Sequence, residues 1–288
     1  MRPNRRPVTF LKPVVGFWQQ YRRYRPGYIG FIVLVVICLI ALLAPYIAPY
    51  RPEDMQAELL LPPSQGHFMG TDYFGRDEFS RVICGLSTSL LVGIGAAGLS
   101  TLIGAVLGAI PGYFGGKVDH VFSRFFEIFM IIPIFFLVVL AAALFGSSLN
   151  VVLLIIALTS WPETARVMRS QVLTIKTREF VESSILVGEG GLYTLFRHVV
   201  PNGLYPVITV GTLRIGAAIL TEAGLSFLGL GDPSALSLGK EIQTGSRFLG
   251  VAPWLVTFPG IVLVILVLTF NMIGDGMNFA FNPRSRTR

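Results

Sequence analysis

Six stretches of this 288-residue chain are apolar over about 20 residues each, the length that a ~30 Å hydrocarbon core demands. They run over about 28–48, 87–111, 121–145, 149–171, 203–228 and 254–280. Lipid offers a backbone amide or carbonyl no partner, so each run must satisfy its own hydrogen bonds as a helix. The expected fold is an all-α membrane protein of six transmembrane helices. Composition agrees: 53% of residues are hydrophobic and 14% charged, against about 25% charged in an average soluble domain. Such a chain would expose large apolar patches in water. The first run is of full spanning length, so it reads as an uncleaved helix rather than a signal peptide, although the segment 41–44 offers some small residues.

The net charge of +7 is distributed unevenly. Arg2, Arg5, Arg6, Lys12, Arg22, Arg23 and Arg25 precede the first run. Lys117 and Arg124 lie in the segment 112–124, up to the start of the third. Arg166, Arg169, Lys176, Arg178 and Arg197 lie around 163–202, and Arg284, Arg286 and Arg288 close the chain. An even number of spans puts these seventeen on one side, against five (Arg51, Arg76, Arg81, Lys240 and Arg247) on the other. Basic residues favour the cytoplasmic face, so both termini are expected there. The charge then serves orientation and contact with anionic lipid, and no nucleic-acid partner is needed. The organisation expected is a basic tail over 1–27, a first helix and external loop over 28–86, a core domain over 87–283 and a short tail over 284–288. The external loop 49–86 carries Pro49, Pro52, Pro62 and Pro63, with short interfacial helices expected near 53–60 and 75–85. Together with the loop 229–253 it could form a rim, or the two could be plain connections.

Motifs for chemistry are absent. The sequence contains no G-x-x-x-x-G-K-[ST], H-E-x-x-H or G-x-S-x-G. Gly229-Leu230-Gly231 and Gly188-Glu189-Gly190-Gly191 complete no phosphate-binding fingerprint and read as loop punctuation. Cys38 and Cys84 are expected as free thiols among apolar neighbours, and His67, His120 and His198 stand too far apart in sequence to suggest zinc ligands. The chain is therefore expected to be non-catalytic and to hold no metal or cofactor.

The segment 178–202, REFVESSILVGEGGLYTLFRHVVPN, is too polar for lipid yet stands between two spans. A short helix, a glycine break and a proline restart would make a two-helix elbow able to dock into a groove on a soluble partner. An ordinary amphipathic connector is the other reading of the pattern. Glu182-Ser183-Ser184, Gly188 and Val199-Val200-Pro201 are spaced as in the EAA loop of ABC importer permeases. Further segments are similar to the dipeptide/oligopeptide/nickel branch of that family: Gly70-Thr71-Asp72, Phe74-Gly75-Arg76-Asp77, Ser80-Arg81, Ser89-Leu90-Leu91-Val92-Gly93 and Gly112-Tyr113-Phe114-Gly115-Gly116. So are Leu225-Ser226-Phe227-Leu228-Gly229-Leu230-Gly231, Ala252-Pro253-Trp254 and Asn271-Met272-Ile273-Gly274-Asp275-Gly276. Their shared order over about 25–284 resembles the second, or C, permease subunit of that branch.

The resemblance implies a transmembrane subunit in the cytoplasmic (inner) membrane, paired with a second, homologous permease. Two ATPase subunits would bind ATP and Mg, and an extracytoplasmic solute-binding protein would deliver dipeptides or oligopeptides. Nickel or oligosaccharide cargo is the alternative within the family, and an ion-coupled secondary transporter the alternative outside it. Loop 174–202 would be the coupling loop, with Arg178, Glu179 and Glu182 touching an ATPase, Gly188 making the turn and Pro201 opening the next helix. Ser183 and Ser184 replace the family's two alanines, which leaves the helix register open.

Charges inside spans cost at least ~2.5 kcal/mol each and usually face a cavity or a partner. Arg214 and Glu222 lie in the fifth span. Arg214 is expected to line a translocation path or to pair with a partner helix, and Glu222 to stabilise a contact near the outer mouth. Arg124, Glu127 and Asp275 lie near span ends. Gly104 and Gly108 form a GxxxG pair suited to close helix packing.

Overall fold

The computed structural model describes residues 11–55 and 57–281. The basic residues of both extreme termini, including Arg2, Arg5, Arg6, Arg284, Arg286 and Arg288, lie outside the described residues. Among the described residues the regular structure is helical, apart from one isolated antiparallel bridge between Thr71 and Asp77.

Five helices are long and apolar enough to cross a membrane: α2 (Arg25–Ile47), α3 (Glu78–Phe114), α6 (Leu149–Ile175), the rod Gly191–Phe227 and α11 (Trp254–Phe281). A sixth span exists if α4 (Gly116–Ile131) and α5 (Ile134–Phe145) count as one, and here the expectation of a single helix over 121–145 is corrected. The two are bent by 81° at Ile132 and Pro133. Ile132 is extended (φ −78, ψ 123), as the residue before a proline tends to be, and Pro133 follows it (φ −60, ψ 118). Pro162 leaves α6 unbroken. It is buried where α6 crosses α3, whereas Pro133 is exposed, so packing holds one helix together and nothing holds the other.

The GxxxG pair works as a packing device. A Cβ on Gly104 would come within 2.7 Å of the Trp161 carbonyl oxygen, and one on Gly108 within 2.9 Å of Ala165 Cα. The backbones of α3 and α6 therefore touch through glycine. Val92, Ala96, Ile156, Ala157, Ala218 and Leu225 continue this core toward α9 (Val200–Phe227).

Apart from the elbow, two further helices of the described residues lie outside the sequence-derived spans. Part of the basic tail forms α1 (Leu11–Arg23), which folds back on α2 and α11: buried Tyr21 donates to the Gly27 carbonyl at 2.9 Å, and Phe17 meets Phe281 at 4.7 Å between centroids. The loop 229–253 contains α10 (Leu238–Ser246), capped by the Ser237 hydroxyl accepting from Lys240 N. The interfacial helix expected at 53–60 does not form among the described residues, which turn instead. The one expected at 75–85 becomes the first turns of the 37-residue α3, started by Asp77 accepting from Ser80 N.

Candidate functional site

The elbow is built on one buried side chain. Helix α7 (Glu179–Leu186) seats fully buried Val181 in a cluster with Met168, Ile175, Leu195 and Val199. Glu179 and Glu182 occupy its first turn, where carboxylates complement the helix dipole. The helix closes in a Schellman motif: Gly188 N donates to the Ile185 carbonyl at 3.0 Å and Glu189 N to the Ser184 carbonyl at 3.2 Å, with Gly188 at φ 86. Glycine is needed there because a Cβ disfavours that conformation. This motif often carries an apolar contact between its first and last residues. Here Ser184 and Glu189 occupy those places and their side chains hydrogen-bond, while Ser184 also meets Thr194 at 3.2 Å. Ser184 thus ties the elbow's two halves together, and Ser183 bonds back to the Glu179 carbonyl.

Arg178, Glu179, Glu182, Ser183, Gly188 and Pro201 are exposed, and Ser184 is half-buried. Beside them, Leu186 and Val187 are 87% and 84% exposed. Exposed charges at one end of a short helix and exposed apolar residues at the other are a docking surface in form. Pro201 sits in the first turn of α9, but the rod it belongs to begins earlier, in the short helix α8 (Gly191–Thr194). A π-turn over Leu195–Val199, closed by Val200 N donating to the Leu195 carbonyl, joins the two. The wider turn accommodates a residue that cannot donate and whose ring crowds the preceding turn.

At the opposite end of the bundle, loop 49–86 and α10 are tied by buried charge. Arg81 donates to both oxygens of Glu241 at 2.8 Å and to the Pro52 carbonyl at 2.9 Å, with Asp72 at 3.9 Å. Asp72 also takes Arg76, and Asp77 takes His67 Nδ1 at 2.9 Å. Glu222 is 3% exposed and accepts from Ser226 at 2.7 Å and Ser89 at 3.4 Å. Through Ser89, which accepts from Leu238 N, and Ser226, which meets Ser237, it connects α3, α9 and α10. Asp232 accepts from the Ser234 hydroxyl and amide and from Leu149 N, and these bonds hold its carboxyl below the usual range. Beside it, partial burial lowers the Lys240 ammonium from its ordinary value.

Arg214 belongs to neither end. It stands midway along α9 and pairs with Glu163 near the middle of α6. A cavity of about 160 Å³ adjoins it, lined also by Ser100, Ile134, Phe135, Ser160 and Thr221. The Ser100 hydroxyl is buried and has no hydrogen-bond partner among the described residues. The structure thus separates Arg214 and Glu222 into different networks. Sequence reasoning does not single out Glu163, although a carboxylate within the 149–171 run was the available signal. Of the other span charges, Arg124 and Glu127 pair with each other on an exposed face of α4, and Asp275 is exposed. No cluster of three or more His, Cys, Asp or Glu able to hold a metal occurs among the described residues.

Residues 102–287 match the family described as binding-protein-dependent transport system inner membrane component, and residues 13–63 match the N-terminal transmembrane domain of oligopeptide transport permease C. The chain belongs to this permease family. The oligopeptide transport system permease protein OppC of Haemophilus influenzae is 39% identical over 85% of this chain and 80% of its own length. The dipeptide transport system permease protein DppC of the same organism is 38% identical over 96% of this chain and 98% of its own. OppC of Bacillus subtilis is 37% identical over 78% of this permease and 74% of its own length. The inward-facing MetNI methionine ABC transporter shares the fold at a TM-score of 0.58 and 19% identity, over 70% of this permease and 97% of that chain.

Proposed function

We propose that this permease is one transmembrane subunit of an ATP-driven importer of dipeptides or oligopeptides in the cytoplasmic membrane. The observation that carries the reading is the elbow: a rooted helix that exposes Arg178, Glu179 and Glu182 at its start and Leu186 and Val187 at its end, in a chain of this family. The elbow would sit in a groove of an ATPase subunit that binds ATP and Mg, and this chain would catalyse nothing itself. Six spans form half a pathway, so a second permease would complete it, and a solute-binding protein would dock on the rim around Arg81 and α10. Both termini and the elbow would face the cytoplasm, as the basic residues favour. ATP-driven closure of the ATPase pair would pull two elbows together and shift the bundle between outward- and inward-open states, to the extent that the ATP-bound partner binds one state better. Peptide is the cargo named for the OppC and DppC relatives.

Purification from native membranes in mild detergent tests the reading. An ATPase and a second permease should be retained, and a Ser183→Cys variant should crosslink to the ATPase. Recovery of the chain alone, with no crosslink, would sink it. A second reading, an ion-coupled transporter, draws on the broken α4–α5 pair and the mid-span Glu163 carboxylate. It requires uptake that survives ATP depletion and stops with a proton uncoupler.

A further inference from the structure

We infer that the cavity beside Arg214 is a binding site for a carboxylate of the transported peptide, reached when Arg214 exchanges Glu163 for the cargo. This rests on the importer reading above and names the chemical group that the path recognises.

Three observations converge. Arg214 is the one Lys or Arg midway along α9, and its partner there is a carboxylate, which shows what kind of group fits the guanidinium. Glu163 is 50% exposed while Arg214 is 16% exposed. Arg214 is thus the enclosed member of the pair and Glu163 the less constrained one, so the acid is the one placed to leave. Finally, buried Ser100 has an unused hydroxyl on the cavity wall, and Ser160 and Thr221 stand on the same wall. A hydroxyl buried without a partner costs about 1–3 kcal/mol, and a carboxylate oxygen beside Arg214 would satisfy it.

Size limits what enters. A volume of about 160 Å³ holds roughly five waters at ~30 Å³ each. It takes the end of a peptide, not its length. The break at Pro133 brings Ile134 and Phe135 to this wall, where the Phe135 ring packs against Gly224. Phe135 thus forms part of the cavity wall beside α9. Arginine suits the task because its planar fork can hold two carboxylate oxygens and it stays charged when desolvated.

The test is uptake by the assembled transporter in proteoliposomes, using alanyl-phenylalanine, its C-terminal amide, and an amidated dipeptide carrying a glutamate side chain. Each is supplied at saturating occupancy of the binding protein, so that recognition outside the membrane cancels. Wild type should move the free acid at least about tenfold faster than the plain amide, the scale of one charge-assisted hydrogen bond. The glutamyl amide shows whether a side-chain carboxylate substitutes for the terminal one. Arg214→Gln should bring the acid-to-amide ratio near one, while Glu163→Gln should retain it, since only a competitor is removed. The charge exchange Arg214→Glu with Glu163→Arg separates recognition from scaffolding: it restores the pair and should leave the ratio near one. An unchanged ratio in Arg214→Gln, or a ratio restored by the exchange, overturns the site while leaving the importer reading intact. If Arg214→Gln fails to assemble, Ser100→Ala should lower the ratio several-fold in an intact complex, and no change there also overturns the site. If wild type moves none of the three peptides while ATPase is bound, the peptide reading itself fails and the site falls with it.

Discussion

Arg81 and Arg214 each reach across a helix crossing to a glutamate, but only Arg81 is held on every side. Its guanidinium makes two 2.8 Å bonds to Glu241 and a third to the Pro52 carbonyl, with both side chains about 96% buried. Arg214 has one half-exposed acid, a cavity and an idle serine hydroxyl for neighbours. The first pair has nowhere to go, and it fixes the long loop 49–86 to α10. The second is under-bonded on both partners. The comparison teaches that two pairs of identical chemistry divide into scaffold and exchangeable contact by how completely the remaining hydrogen-bonding capacity is used.

That division can be broken by substitution. Arg81→Gln should be the most damaging change, because it strands Glu241 and Asp72 beside Glu78, whose Oε1 already lacks a partner. Uncompensated buried charge typically costs about 3–5 kcal/mol. The check is the thermal midpoint of the detergent-solubilised protein, and a shift no larger than that of Arg214→Gln would erase the distinction. Glu222→Ala comes next, removing the acceptor of the Ser89 and Ser226 hydroxyls at about 1–3 kcal/mol for buried donors left unpaired. It should show as faster amide exchange in α10 with α6 unaffected. Glu163→Gln should cost less than Arg81→Gln, because the amide oxygen can still accept from Arg214 and the Glu163 side chain is half-exposed. A midpoint drop matching Arg81→Gln would make the mid-span pair scaffold too.

The smallest effect expected is at Asp232, which is half-buried and well bonded. Its folded carboxyl titrates below the unfolded one, so its contribution is present above the ordinary ~3.9 and is lost as pH falls through the folded value. Wild type should exceed Asp232→Asn slightly at pH 7, and the gap should close on acidification. A gap that widened toward low pH would contradict the hydrogen-bonding geometry.

Span positions were legible because lipid imposes one length and one backbone solution, and α2, α6, α9 and α11 fall where apolar runs placed them. Gly104, Gly108 and Gly188 were legible because each marks something only glycine does well. Pro133 was not: prolines at 111, 162, 206 and 259 also lie within helices and break none of them. The difference lies in tertiary packing, which a single sequence does not display. Helix α10 is short and polar, and its anchors, Glu222 and Arg81, come from far along the chain. Ser184 read as a small stand-in for alanine. Its bond to Glu189 depends on the turn between them, and only that geometry shows why serine suits the place.

The π-turn at 195–199 has a mechanical consequence. Because it absorbs Pro201 without a break, the stretch Gly191–Phe227 is a single strut, roughly 55 Å long at ~1.5 Å per residue. Its foot stands next to the Gly188 turn and its head carries Glu222. A push of a few ångströms at the foot is therefore delivered along the strut to the rim, and a tilt about its middle sweeps Arg214 least and the two ends most.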